Sequence, residues 1–520
     1  MTRSFTVVSD IARTGADRFG EAVALEDARE TGVSYGDLWR RVQTGAGALR
    51  RLGLERRDRV LLFMDSSPAW LTTFLSIVHA DLVAVPIPAT TSIELARLAC
   101  LFAGIRACAC DDAEVARRLG VQAVTPTDLD GDRSDLLEPT TATSGATAVL
   151  VFTSGSTARP RAVALSHDNL LANLRSIDAA RAARDGEALL SILPPSHAFE
   201  LVAGQLAPLA SGARIVYPRM LLPNRVLELV RERAITRLLC VPSICELLAR
   251  QVIAALVDQG IVDPHCQYAS GEDLVTRFGR LAPSKQDAVR DGVGCCLGPA
   301  FHGVVVGGAA IGRAWVQLLL DVGVEVDLGY GLTEAGPVVS LGAARECPPG
   351  SSGRPLPGVD VRVNGDGEIL VRSGGVMQGY LNDPEGSAAA IERGWLKTGD
   401  SGRFDAGGNL FVTGRLKEAI VTASGETVYP EEIEPCYDSP LFAEHCVVPA
   451  RGADGNDLPT LVVCPIDAAT SDADLERAFA TLRAAAPPRL RAAFIIRSPA
   501  RLPRTALGKI KRRQLAEHLC

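Results

Sequence analysis

The sequence predicts an α/β fold in two unequal domains, a large N-terminal domain over residues 1–415 and a small α+β domain over 416–520. Three observations lead there. At 520 residues the chain exceeds what one ordinary hydrophobic core accommodates. Through the first 330 residues, apolar runs (VLLFM at 60–64, AVLVF at 148–152, VVV at 304–306) alternate with amphipathic stretches, as strands alternate with covering helices. Beyond residue 345 the runs shorten and glycines punctuate them.

The clearest element pair lies in FHGVVVGGAAIGRAWVQLLLDVGVEVDLGYG, residues 301–331. It reads as a strand ending at Gly307 and Gly308, a helix from about Arg313 to Val322, and a second strand. One βαβ crossover of this kind puts the following loop at the carboxyl edge of a sheet, where α/β proteins bind ligands. From about 345 to 415, GVDVRVNGDGEILVRSGG and GRFDAGGNLFVTGR predict hairpins, and with them a small β-barrel-like part of the large domain. The last hundred residues mix strands with an Ala-rich helix near 472–485 and end in the basic stretch LGKIKRR.

Composition narrows the function classes. Apolar residues are 47% and charged residues 22%, as in packed globular proteins. The net charge of −7 comes without a basic stripe, which argues against nucleic-acid binding. No run of about 18 uncharged apolar residues predicts a membrane span, and the start, MTRSFTVVSDIARTG, has no apolar signal core, so the expected location is the cytoplasm. The 13 cysteines follow neither a disulfide framework nor a metal spacing and are expected to be reduced.

Residues 153–163, TSGSTARPRAV, lie between two short apolar runs. Hydroxyls and a glycine packed this closely can turn N–H and O–H donors inward, as a polyphosphate requires, although the GxxxxGK[ST] loop of P-loop proteins is absent. The longer pattern TSGSTxxPRxVxLSHxNL resembles the phosphate loop of the adenylate-forming superfamily, which includes acyl-CoA synthetases, firefly-type luciferases and peptide-synthetase adenylation domains. The resemblance implies that Thr153, Ser154, Gly155, Ser156, Thr157 and Arg161 hold the phosphates of ATP. Ala158 and Ala162 stand where glycine is usual and Arg161 where lysine is usual, which puts loop freedom in question.

Further motifs follow in family order. GYGLTEAG at 329–336 resembles YGxTE, which implies that Tyr330 packs on adenine, Gly331 lines the site, Thr333 contacts the α-phosphate and Glu334 binds Mg²⁺. The preceding Gly308 and Ala309 join the nucleotide set by the same likeness. TGD at 398–400 matches the ribose motif, so Asp400 would accept from the ribose hydroxyls, with Arg415 of GRLKE a second contact. LPRTALGKIKRR matches PRTxxGKxxR and assigns Lys509 as the catalytic lysine, a cation that lets an anionic carboxylate approach an anionic α-phosphate. The small domain is accordingly expected to be mobile, with Lys417 as its hinge and the segment around Gly425 lining the path of the incoming thiol.

LPPSHAFELVAGQL, from residue 193, looks more like fatty acyl-CoA synthetases, which carry His-x-Phe-Glu here, than like amino-acid adenylation domains, and His197 becomes a candidate for gating or orienting the carboxylate. The leading expectation is an AMP-forming ligase that joins a hydrophobic acid to CoA. The alternatives are an adenylate-forming enzyme with another acceptor (a carrier-protein thiol, an amine, an internal hydroxyl) or another oxyanion such as nitrite, and a nucleotide-binding protein with little turnover.

Overall fold

The computed structural model describes residues 5–27, 32–129, 136–137, 142–153, 161–181, 186–218, 222–421, 427–439, 441–451, 457–504 and 510–519. Two large sheets carry most of the chain. In the first, the parallel strands Arg59–Phe63, Val83–Pro86, Ile105–Cys110 and Gln122–Val124 continue onto Thr147–Thr153, which turns back antiparallel into Arg161–Ser166. The second has nine strands, with Ala188–Leu190, Arg237–Cys240, Gly303–Val306 and Glu325–Gly331 parallel at its centre and Val338–Ala343 antiparallel beyond them.

The crossover from Gly303–Val306 through the helix Arg313–Asp321 to Glu325–Gly331 is the βαβ unit the sequence predicts, and the loop after Val306 leaves the carboxyl edge. The hairpin region becomes a five-stranded antiparallel sheet, Val359–Val363 against Glu368–Ser373 and Trp395–Phe404 against Leu410–Arg415. Near-continuous apolar strands require cover on both faces. One cluster, with Trp70, Tyr35 and Phe74 at its heart, fills the space between the large sheets.

Beyond residue 416 a separate cluster forms from Ile420, Ile433, Tyr437, Val447 and Leu461, all later in the chain. It lies beneath the three-stranded sheet Phe442–Arg451, Asp457–Pro465 and Phe494–Arg497 and the helix Asp472–Ala485, whose N-terminus is closed by a Ser471–Asp474 capping box. Every described cysteine is a free thiol. Among the described residues no helix is long and apolar enough to cross a membrane.

Candidate active site

Residues 154–160 connect two strands whose last and first residues, Thr153 and Arg161, are antiparallel partners. Ser154, Gly155, Ser156, Thr157 and Ala158 lie outside the described residues. Ala162 is described: it sits fully buried in the Arg161–Ser166 strand opposite Phe152, so this departure from glycine falls where extended backbone suits any side chain. The strand runs into the helix His167–Ala180 through a capping box in which Ser166 and Asn169 satisfy each other's backbone N–H groups. Asn173 then bonds Val338 in both directions, fixing this helix over the second sheet.

One cavity of about 2760 Å³ collects the described site residues. Thr153, Arg161, His197, Gly308 and Ala309 border it from the two large sheets. Tyr330, Gly331, Thr333 and Glu334 enter from the carboxyl edge, and Asp400, Arg415 and Lys417 from the third sheet and the turn after it. Gly331 is required here, since a Cβ would collide with the Pro337 carbonyl. Gly308 has φ +83°, a left-handed conformation that glycine adopts without strain.

Two polar clusters organise the cavity. In the first, the Tyr330 hydroxyl donates to Asp400 Oδ2 at 2.7 Å and Arg415 Nε pairs with Oδ1 at 2.9 Å, while Asp400 and Arg415 are direct partners across the antiparallel ladder. Burial, then the Asp400 charge, pushes the Tyr330 phenol well above its ordinary range, so it stays a donor. In the second, the Tyr380 hydroxyl donates to Glu334 Oε1 at 3.1 Å, and the Arg161 guanidinium lies 4.8 Å over the Tyr380 ring and 3.8 Å from Asp383. Arg161 thus reaches the Glu334 carboxylate through an aromatic side chain that no sequence motif had singled out. Among the described residues no three potential metal ligands cluster, and a lone carboxylate such as Glu334 suits Mg²⁺, which takes its other ligands from phosphate oxygens and water.

His197 lies half-buried on the cavity wall, in the bend Pro194–Ala198 where its N–H bonds the Pro194 carbonyl. Two residues on, the Phe199 ring packs so closely on Gly307 that a Cβ there would sit 2.7 Å from it. Glu200 opens a π-helical turn, Glu200–Leu206, and is only 1% exposed, with Ser191 donating to its Oε1 at 2.5 Å. Burial raises its carboxyl to about 8, so it is neutral at pH 7. Sequence reasoning quoted the His-x-Phe-Glu run but gave no role to its glutamate, because nothing in the pattern reveals burial.

Part of the cavity is an apolar slot. The slot runs between one face of the second sheet, carrying Leu189, Leu239, Val305 and Leu341, and the face of the 167–180 helix carrying Leu174 and Ile177. Strand alternation and helical i, i+3 spacing account for both linings.

The segment beyond residue 416 borders the other side of the cavity. Lys417 is exposed in the turn Leu416–Glu418. Arg512 gathers three carboxylates, Glu434 at 2.8 Å, Glu418 at 3.1 Å and Glu431 at 3.2 Å. Gly425 and Lys509 lie outside the described residues. The flanks of 505–509 meet in an Arg504–Ile510 bridge, and Ile510 and Lys511 line the cavity.

Comparison with known proteins gives a family and a fold. A family model described as AMP-binding enzyme matches residues 12–381. A long-chain-fatty-acid–CoA ligase of Mycobacterium tuberculosis is 28% identical over 82% of the chain and 76% of its own length. A feruloyl-CoA synthase of Streptomyces is 28% identical over 92% of both chains. Among solved structures, ATP-bound MatB from Rhodopseudomonas palustris superposes with a TM-score of 0.80 over 98% of both chains at 23% identity, and o-succinylbenzoate CoA synthetase of Bacillus subtilis, with its acyl-adenylate, at 0.79 over 97% of both at 20% identity. These two share the fold.

Proposed function

The chain belongs to the AMP-binding enzyme family, and from that premise we propose that it uses ATP to activate a hydrophobic carboxylic acid and transfers the acyl group to the thiol of CoA. The observation that carries the reading is the convergence of Tyr330, Asp400, Arg415 and Glu334 on one cavity that continues into an apolar slot. The Asp400 carboxylate, held in place by Tyr330 and Arg415, retains acceptor capacity on both oxygens, as binding of a ribose diol requires. Leu174, Ile177, Leu189, Leu239, Val305 and Leu341 give the slot an apolar lining, which suits an alkyl or aryl chain.

In the first half-reaction a carboxylate oxygen attacks the α-phosphorus of ATP and the bond to pyrophosphate breaks, leaving a mixed anhydride. Thr153, Arg161 and the loop between them receive the phosphates, Thr333 faces the α-phosphate, and His197 orients the carboxylate. Glu334 would hold Mg²⁺, which offsets phosphate charge when bound. Lys509 is assigned to bridge the two repelling anions. In the second, the CoA sulfur attacks the acyl carbon along the path by Gly425, the C–O bond to AMP breaks, and the thiol proton passes to solvent.

Nucleotide binding without turnover would require the loop departures to disable it. Arg161 keeps the positive charge and Ala162 occupies ordinary strand backbone. Acid-dependent exchange of pyrophosphate into ATP, run over a panel of acids with and without CoA, tests the proposal. Exchange plus an acyl-CoA product supports it. Exchange with no thioester points to another acceptor, and no exchange with any acid overturns it.

A further inference from the structure

The far end of the apolar slot is not apolar. Arg237, 4% exposed, is the first residue of the strand Arg237–Cys240, and strand alternation puts it on the same face as Leu239 and Val241, the face that lines the slot. Its two terminal nitrogens are occupied: one reaches Asp327 at 3.2 Å and the other Glu325 at 3.2 Å. Its Nε–H is different. It is buried and has no hydrogen-bond partner among the described residues, the nearest carboxylate oxygen, from Glu187, being 4.0 Å away and beyond bonding reach.

A buried N–H without an acceptor costs on the order of 1–3 kcal/mol, so the site favours whatever supplies one. We propose that the slot is closed at its far end by Arg237, which donates its Nε–H to a neutral hydrogen-bond acceptor, a carbonyl or hydroxyl oxygen, on the distal end of the substrate acid. This rests on the reading of the chain as an acid-activating enzyme and names the class of acid.

Charge decides between neutral and anionic acceptors. Among the described residues, two cations, Arg181 and Arg237, face four acidic side chains there: Asp327, Glu325, Glu187 and, three residues before Arg181, Asp178. A second carboxylate on the substrate would enter a surplus of acidic groups, whereas an uncharged oxygen answers the donor at no electrostatic cost. Length follows from the strand. Arg237 lies four residues before Val241, whose side chain lies beside Gly308 at the site end, so the two ends are roughly 13 Å apart at about 3.3 Å per residue, the reach of an acyl chain of about ten carbons.

The experiment compares decanoate, 9-oxodecanoate, 10-hydroxydecanoate and decanedioate as substrates of the full-length enzyme, reading KM and kcat by pyrophosphate exchange. The oxo or hydroxy acid is expected to show a KM about tenfold below that of decanoate at similar kcat, with the diacid the poorest. Equal or better use of decanoate, or preference for the diacid, overturns the proposal. Arg237→Lys keeps a cation for Asp327 and Glu325 but removes the Nε–H, and should reduce the preference to within about twofold while the KM for ATP holds. Should that variant not fold, Leu239→Phe decides the slot's part: it should exclude all four ten-carbon acids and spare butanoate, and unchanged use of decanoate would overturn the assignment. Exchange without distal preference defeats this inference alone, whereas no exchange with any acid defeats the proposed activity itself.

Discussion

Tyr330 and Asp400, 70 residues apart, meet through a 2.7 Å hydrogen bond in which the phenol donates to the carboxylate. The two belong to different sheets, so this bond ties the second sheet to the antiparallel sheet at the proposed nucleotide site. Tyr330→Phe keeps the ring for adenine but releases Asp400 Oδ2, and should raise the KM for ATP several-fold with a smaller effect on kcat. Asp400→Asn should raise it by about two orders of magnitude, because a charge-assisted acceptor and the partner of Arg415 are lost together. Steady-state kinetics in ATP checks both, and an unchanged KM in the asparagine variant would remove Asp400 from the nucleotide site.

Glu334 is steered by Tyr380 at 3.1 Å. Tyr380→Phe should leave the fold intact, weaken the hold on the carboxylate and raise the Mg²⁺ concentration for half-maximal exchange several-fold. A magnesium titration at fixed ATP measures it, and superimposable curves would show that the hydroxyl does not support the metal site.

Glu200 makes stability depend on pH. Its folded-state value of about 8 lies above the ordinary 4.5, so the folded protein holds a proton that the unfolded chain releases. The contribution is complete below pH 4.5 and fades as pH rises through 8, by at most about 5 kcal/mol. Glu200→Gln keeps the shape and removes the titration. Thermal melts from pH 5 to 8 should show the wild type losing Tm relative to this variant, and parallel curves would mean that Glu200 is ionised in the fold.

Arg512 binds carboxylates from the turn after Arg415 (Glu418) and from the segment 430–434 (Glu431, Glu434), three residues after the assigned catalytic lysine. Arg512→Met strands three buried or half-buried acids and should destabilise the small domain by about 3–5 kcal/mol, with both half-reactions impaired. Lys509→Ala should behave differently, abolishing adenylation while sparing transfer from a supplied acyl-adenylate, and a bulky residue at Gly425 should do the reverse. Equal loss of both steps in Lys509→Ala would remove the lysine's special role.

The sequence alone determined the order of the motifs along the chain. Hydroxyl-rich loop, Tyr330–Glu334, Asp400 and the terminal lysine motif are local strings, and local strings announce turn geometry and donor or acceptor type without reference to the rest of the fold. The βαβ unit at 303–331 and the helix at 472–485 were legible for the same reason: their periodicity is carried by adjacent residues. Only the tertiary structure decided that Tyr380 links Arg161 to Glu334, that Glu200 is neutral, that Arg512 collects three acids and that Arg237 keeps an unanswered donor at the end of the slot. Each of these depends on burial and on partners tens or hundreds of residues away. Desolvation and long-range pairing set protonation and unsatisfied valence, and neither is written in a residue's neighbours along the chain.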